Sequence, residues 1–171
     1  MPMYRDGNIL ASGADLIVNP VNCKGRMGKG LAKEIATRYP YALPRYRAIC
    51  NAGGFRPGGV QIAPAPSSKE PWIANLATKD HWRDLSQMSW VIEGMETLAQ
   101  QIMISDYSFA SVAVPQLGCG NGGLEWKMVL PAILPAIGKI EALGVEVLVY
   151  GKNVLKATPR PQEAPMYPGF Y

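Results

Sequence analysis
The stretch Ala14-Asp-Leu-Ile-Val-Asn-Pro-Val-Asn-Cys-Lys-Gly-Arg-Met-Gly-Lys-Gly-Leu-Ala32 decides how this chain is read. Leu16, Ile17 and Val18 are apolar on both faces of an extended segment, the pattern of a strand covered on two sides. An asparagine-rich turn follows. Then comes a loop in which Gly25, Gly28 and Gly30 are interleaved with Lys24, Arg26 and Lys29, and then a helix. That order brings backbone N–H groups, a helix N-terminus and cationic side chains to one point beyond the strand end. Free donors and the helix dipole both favour negative charge there, so the point suits a phosphate or diphosphate. A merely structural turn has no need of three glycines.

Outward from this loop, strands and helices alternate. Residues 4–10 suit a first strand, either ending at the Gly7-Asn8 turn signal or running through it. A helix over 30–39 is stopped by Pro40, and a second over 41–52 is ended by Gly53-Gly54. Strands follow over 60–63 and 72–77. The clearest helix spans 89–104, where Val91, Ile92, Met95, Leu98, Ala99, Ile102 and Met103 recur at three and four. Strands over 111–115 and 145–150 flank a helix over 126–143 that Pro131 and Pro135 interrupt. Trp90 and Trp126 fall at helical positions and read as core. The alternation predicts an α/β fold, with helices on both faces of a central mixed, mostly parallel sheet. Past Gly151 the pattern stops. Residues 152–171 hold four prolines and read as a tail or cut linker whose aromatic end, 166–171, docks on a partner or on the domain itself. One domain over 1–151 is therefore expected.

Composition narrows the class. Of 171 residues, 48% are hydrophobic and 18% charged, which suits a globular chain and not a disordered one. No apolar run approaches the ~20 residues of a spanning helix, and the N-terminus lacks a signal-peptide core. Cys23, Cys50 and Cys119 fit neither a disulfide framework nor a zinc site, so a reducing cytoplasm is expected and no metal. The net charge of +4 is uneven. Residues 1–50 hold eight Lys/Arg against three acids, whereas the remainder carries −1. The basic half contains the glycine loop, which suits an anionic ligand or a nucleic acid; charge alone equally suits a solvated basic surface.

Three polar or glycine-rich segments follow apolar strands, at 22–30, 78–83 and 115–126. In open α/β sheets, ligands sit beyond the carboxyl ends of strands, so the three are expected to converge. Gly118, Gly120 and Gly123 formally satisfy G-x-G-x-x-G, yet such a fingerprint should open the first βαβ unit. A second anion-binding turn closing over a diphosphate is the better reading. The first loop is not a nucleoside-triphosphate loop, because Lys29 is followed by Gly30 rather than Ser or Thr.

At this point Asp15-Leu-Ile-Val-Asn-Pro-Val-Asn22, Gly28-Lys-Gly30 and Val114-Pro-Gln-Leu-Gly-Cys-Gly120 resemble the macrodomain, the ADP-ribose-binding module, over residues 4–151. More narrowly, Arg26-Met-Gly-Lys-Gly30, Thr78-Lys79 and Gly118-Cys-Gly120 with Leu124-Glu-Trp126 resemble the branch containing the terminal ADP-ribose protein glycohydrolase. The run Thr78-Lys-Asp-His-Trp-Arg83 resembles the macrodomains of DarG antitoxins, which remove ADP-ribose from DNA bases modified by the toxin DarT. The resemblance implies an α/β/α sandwich with ADP-ribose across the strand ends. It gives Lys79 the role of the lysine that attacks the anomeric carbon of the distal ribose. A lysine can do so once desolvation or neighbouring cations lower its pKa; without the resemblance it is simply a strand-end lysine. Asn22 is placed near the distal ribose, and also suits an Asx turn ordering the loop. Asn8, Ile9, Arg26, Met27, Gly28, Gly30, Leu117, Gly118, Cys119, Gly120, Asn121, Gly122 and Gly123 are the remaining candidate ADP-ribose contacts.

Two positions depart from the family pattern. The acid that recognises adenine in a Gly-Asp-Ile/Leu motif is here Asn8, which can accept from the adenine amino group but carries no charge. The aspartate that the human-type glycohydrolase carries in its second glycine-rich loop, two residues before the leucine, is here Gly122; Asp80 or His81 are candidate replacements. His81 otherwise reads as a packing histidine, Trp82 as either a base-stacking or a core residue, and Cys119 as a reactive thiol or a small turn filler.

The expected function is an ADP-ribosyl hydrolase acting on ADP-ribosylated DNA. The alternatives are a non-catalytic ADP-ribose reader and an enzyme cleaving ADP-ribose from protein esters. Single-stranded modified DNA and a DarT-like toxin are the expected partners, with a monomeric chain, no membrane and no cofactor beyond ADP-ribose as ligand and product.

Overall fold
The computed structural model describes residues 1–157. Strands β1 (Met3–Arg5), β2 (Leu16–Val21), β3 (Val60–Ala63), β4 (Trp72–Ala77), β5 (Ser111–Val114) and β6 (Glu146–Tyr150) form one sheet in the order β1-β6-β5-β2-β4-β3. Every neighbouring pair is parallel except β3–β4. Helices α3 (Met88–Ile104) and α4 (Trp126–Glu141) cover one face. Helices α1 (Gly30–Arg38) and α2 (Pro44–Asn51) cover the other. The α/β/α sandwich expected from the alternation is what the chain forms.

Strict alternation sorts the strand side chains between these layers. Leu16, Val18, Ala74, Leu76, Val112, Val114, Val147 and Val149 pack with α3 and α4. Ile17, Ile73, Ala113 and Leu148 pack with Ile35 of α1. The second strand runs three residues further than its apolar signal, through Asn19 and Pro20 to Val21. Asn19 is wholly buried and donates to Asn75 on β4 at 3.0 Å, while Asn75 donates to the Gln61 side chain and the Ala42 carbonyl, each at 2.9 Å. A connected polar chain of this kind fixes register where apolar contacts would tolerate a slip.

Pro20 explains where the cleft opens. The Val21 carbonyl accepts from Thr78 N–H, toward β4. Pro20, one residue earlier, therefore turns its missing N–H toward β5, which pairs only with Leu16 and Ile17. The proline costs no ladder bond there, and β2 and β5 part into a crevice.

Other differences from the sequence reading have local causes. The first strand stops at Arg5, because Gly7 turns at φ +101° and Asn8 caps a 3-10 turn over Ile9–Ala11. The helix expected over 41–52 starts at Pro44, after a 3-10 turn over Pro40–Ala42, since a proline suits the first helical position. Helix α4 runs unbroken through Pro131 and Pro135. Both prolines lie on the exposed face, one turn apart, where water serves the carbonyls they leave unpaired. The opposite face buries Val129, Leu130, Ile133, Ile137 and Ile140. At roughly 1.5–3 kcal/mol for each large apolar side chain, that burial outweighs the lost bonds. The stripe on α3 is narrower than its sequence suggested: Ile92 is 36% and Met103 61% exposed, and Trp90 is half-buried rather than core. Beyond Gly151 the chain does not leave the domain at once. The Trp126 indole donates to the Lys152 carbonyl at 2.9 Å, and Val154, in a 3-10 turn over Val154–Ala157, packs on the core. The aromatic end at 166–171 lies outside the described residues.

Gly94 lets α3 sit close on β4. A Cβ there would meet the fully buried Leu76 side chain, with Cγ at 2.7 Å. Gly94→Ala is expected to lower stability by about 1–2 kcal/mol, overpacking exceeding the gain in helix propensity. Thermal unfolding then shows a melting point several degrees lower.

Candidate active-site cleft
Three neighbouring strands, β5, β2 and β4, end side by side, and the loops that leave them enclose a cleft of about 960 Å³. That is the upper end of the ~300–1,000 Å³ range for small-molecule sites. The segments singled out in the sequence converge because their strands are parallel and adjacent.

The first loop, 22–29, is organised by Asn22. Its Oδ1 accepts from Lys24 N–H at 2.9 Å, its Nδ2 donates to the Arg26 carbonyl at 2.8 Å, and the buried Tyr46 hydroxyl donates to its carbonyl at 2.7 Å. The Asx-turn reading of Asn22 holds, and the residue also lines the cleft. Gly25 needs its φ of +77°, and a side chain there would crowd Arg47. The chain then enters α1 through Lys29, which is extended and offers no side-chain cap. The first N–H groups of the helix therefore face the cleft at Gly30, Leu31 and Ala32 without a capping oxygen.

The second loop carries Lys79. Thr78 N–H donates to the Val21 carbonyl at 3.0 Å and Cys23 N–H to the Asp80 carbonyl at 2.8 Å, so the backbone around Lys79 is clamped to the first loop. Lys79 is half-buried, and its pKa lies below the ordinary lysine value. Burial is the main cause and Lys29 adds to it, while Asp84 opposes both.

The third loop, 115–125, folds on itself through Leu124 N–H to the Gly118 carbonyl at 2.8 Å, with Gly118 at φ +74° and Gly123 at φ +79°. Ser86 ties it to the second loop. Its N–H donates to the Gly122 carbonyl at 2.9 Å, and its buried hydroxyl donates to Thr78 Oγ1 at 3.3 Å. Across the cleft, Asn121 Nδ2 lies 3.8 Å from where a Cβ on Gly30 would be.

A family model described as Macro domain matches residues 18–133. The chain belongs to the macrodomain family. A solved macrodomain of Mycobacterium tuberculosis DarG superposes with a TM-score of 0.81 at 34% identity, over 90% of this chain and 99% of that one. A curated DNA ADP-ribosyl glycohydrolase of the same species is 34% identical over 88% of this macrodomain and 42% of its own length. The chain thus spans about two fifths of that relative. DarTG of Thermosipho africanus, solved in complex with ADP-ribose, matches with a TM-score of 0.78 at 26% identity, over 93% of this chain and 43% of that one.

Of the residues singled out in the sequence, the macrodomain brings Asn22, Arg26, Gly28, Gly30, Lys79, Trp82, Gly118, Gly120, Asn121 and Gly122 to the cleft. Asn8 and Ile9 do not line it: Asn8 Oδ1 accepts from Leu10 N–H at 3.0 Å, and Ile9 is buried. Met27 and Leu117 are core side chains beneath the loops, and Cys119 and Gly123 also stay off the lining. Burial pushes the Cys119 thiol up to about 11, which favours the turn-filler reading over a reactive thiol. Neither candidate replacement for the missing aspartate lines the cleft. Asp80 lies 3.6 Å from Lys24, and His81 Nδ1 accepts from Arg83 N–H at 3.1 Å while its ring stacks on Trp82.

Sequence reasoning placed Lys29 and Thr78 in the converging segments without giving either a separate role, and it missed Ser86 as a cleft residue and Asp84 as the charge acting on Lys79. Among the described residues, no group of His, Cys, Asp or Glu side chains is arranged to hold a metal, and no helix is long and apolar enough to cross a membrane.

Proposed function
We propose that this macrodomain is an ADP-ribosyl glycohydrolase that removes ADP-ribose from modified DNA bases through a lysine adduct. The carrying observation is Lys79. It has a lowered pKa and stands between two loops whose free backbone donors suit a diphosphate. The similarity to DNA ADP-ribosyl glycohydrolases supports DNA as the substrate.

In the proposed reaction the diphosphate lies between the N-terminus of α1 and the glycines of the third loop, which sets the distal ribose beside Lys79. The neutral Nζ attacks the anomeric carbon. The bond from that carbon to the base breaks, its electron pair stays on the base, and the base takes up a proton as it leaves. Water then hydrolyses the lysine adduct, releasing ADP-ribose and the free amine. With Gly122 in place of an acid, the Ser86–Thr78 hydroxyl pair and the Gln116 and Asn121 amides are polar groups that line the cleft. A nucleobase that departs protonated needs less help than an alkoxide. The reaction uses no cofactor. In the cell we place the protein as a cytoplasmic monomer and the antitoxin partner of a DNA ADP-ribosyl transferase of the DarT type.

A substrate panel tests this. ADP-ribose is expected to be released from a modified single-stranded oligonucleotide, and slowly or not at all from a modified glutamate peptide or O-acetyl-ADP-ribose. Preferential ester cleavage would make it a protein de-ADP-ribosylase, and tight ADP-ribose binding without turnover a reader.

A further inference from the structure
At the mouth of the cleft, three planar side chains from two loops are gathered on one another. The Trp82 indole is 37% exposed. The His81 ring lies 3.8 Å from it between centroids at an interplanar angle of 31°, and the Arg26 guanidinium sits 4.5 Å from the indole centroid. Arg83 lies over the same indole at 5.9 Å. Arg26 and Trp82 line the cleft, but neither forms or breaks a bond in the proposed reaction.

The cluster is built in place rather than left loose. A turn closed by Asp84 N–H to the His81 carbonyl at 3.0 Å, and by Arg83 N–H to His81 Nδ1 at 3.1 Å, presents Trp82 at its tip. Arg26 reaches it from the first loop, so the pair spans from one loop of the cleft to the next, and both residues line it. The surrounding charge is mostly cationic. Lys24, Lys29, Arg26 and Arg83 face two acids, and one of these, Asp80, is paired with Lys24 at 3.6 Å.

We infer that this cluster is a stacking platform for a nucleobase of single-stranded DNA, next to the base whose ADP-ribose enters the cleft. The inference rests on the DNA reading of the site and adds the element that holds the strand. With the His81 ring and the Arg26 guanidinium already lying on the indole, a base extends this column of planar groups, and the cations follow the phosphates. A duplex keeps its bases stacked on one another, so the platform selects a single strand. Being ordered beforehand, it costs little entropy on binding.

The test measures fluorescence anisotropy of a fluorescein-labelled oligothymidylate, unmodified, at fixed salt, against a duplex of equal length. The wild type is expected to bind the single strand more tightly than the duplex. Trp82→Ala should weaken single-strand binding about ten-fold, in line with the loss of one stacked base. Trp82→Phe should weaken it much less, and Arg26→Lys, which keeps charge but loses the plane, to an intermediate degree. Equal binding by wild type and Trp82→Ala, equal losses in the Phe and Ala variants, or no strand binding by the wild type each overturn the platform. If Trp82→Ala fails to fold, the Phe and Lys variants carry the comparison. Because the probe carries no ADP-ribose, these results are independent of whether the wild type releases ADP-ribose from modified DNA.

Discussion
Lys79→Ala is expected to lower kcat/KM for ADP-ribose release by about a thousand-fold or more, while ADP-ribose itself still binds. The substitution removes the nucleophile and leaves untouched the loops that hold the diphosphate. Lys79→Arg is expected to be equally inactive, since a guanidinium keeps its proton at any working pH. The pH profile separates this role from simple charge attraction. Attack needs the neutral amine, so the rate rises with pH through the Lys79 pKa and then levels off. Burial and Lys29 hold that pKa below the ordinary lysine value, and Asp84 pulls it back up. Lys29→Met should therefore move the rising limb to higher pH, and Asp84→Asn to lower pH. Where hydrolysis of the lysine adduct is slower than its formation, as with an analogue whose ribose adduct resists water, ADP-ribose should remain on Lys79, visible in the intact mass. An unchanged rate in Lys79→Ala would remove the lysine from the mechanism.

Gly122→Asp, which restores the residue that the glycohydrolase resemblance calls for, is expected to destroy the site rather than improve it. A Cβ at 122 would lie 2.5 Å from the Gly118 carbonyl oxygen and 2.8 Å from Ser86 Cβ. That carbonyl already closes the third loop by accepting from Leu124 N–H, and Ser86 N–H donates to Gly122 itself. The side chain thus meets backbone that cannot yield without undoing the turn, and overpacking of this kind costs about 1–3 kcal/mol. ADP-ribose affinity should fall about a hundred-fold, with a lower melting point, by calorimetry and thermal unfolding. Gly122→Ala should do nearly the same harm, which makes the Cβ and not the carboxylate responsible. Adding Ser86→Gly should not rescue it, because the Gly118 carbonyl remains in the way. Wild-type affinity in Gly122→Asp would mean that the loop is free to move aside.

The parts of the site that could be read in the sequence are those whose signal is local. The strand–glycine loop–helix order at 14–32 is legible in the sequence, and α1 opens on Gly30 with an uncapped N-terminus. Lys79 could be singled out only through the resemblance carried by the run 78–83; its place after an apolar strand by itself marks no more than a strand-end lysine. By contrast, the cleft's opening between β2 and β5 depends on a register that pairs only Leu16 and Ile17, and no periodicity encodes that. Asn8 lies off the cleft lining for a related reason: its motif is local, but its orientation is set by the turn at Gly7 and by a cap bond to Leu10.

The sequence by itself determined the sandwich and its three loops, through alternation within strands, spacing within helices and glycines at the strand ends. The tertiary structure decided what those loops do to one another. Ser86 fills the space where the family's aspartate would stand, Cys23 clamps the backbone beside Lys79, and Arg26 meets Trp82 across two loops. These contacts join residues tens of positions apart, so each exists only once the parallel sheet has brought β5, β2 and β4 side by side. Local propensities act over a few residues of chain; the clasp, the clamp and the platform act through space.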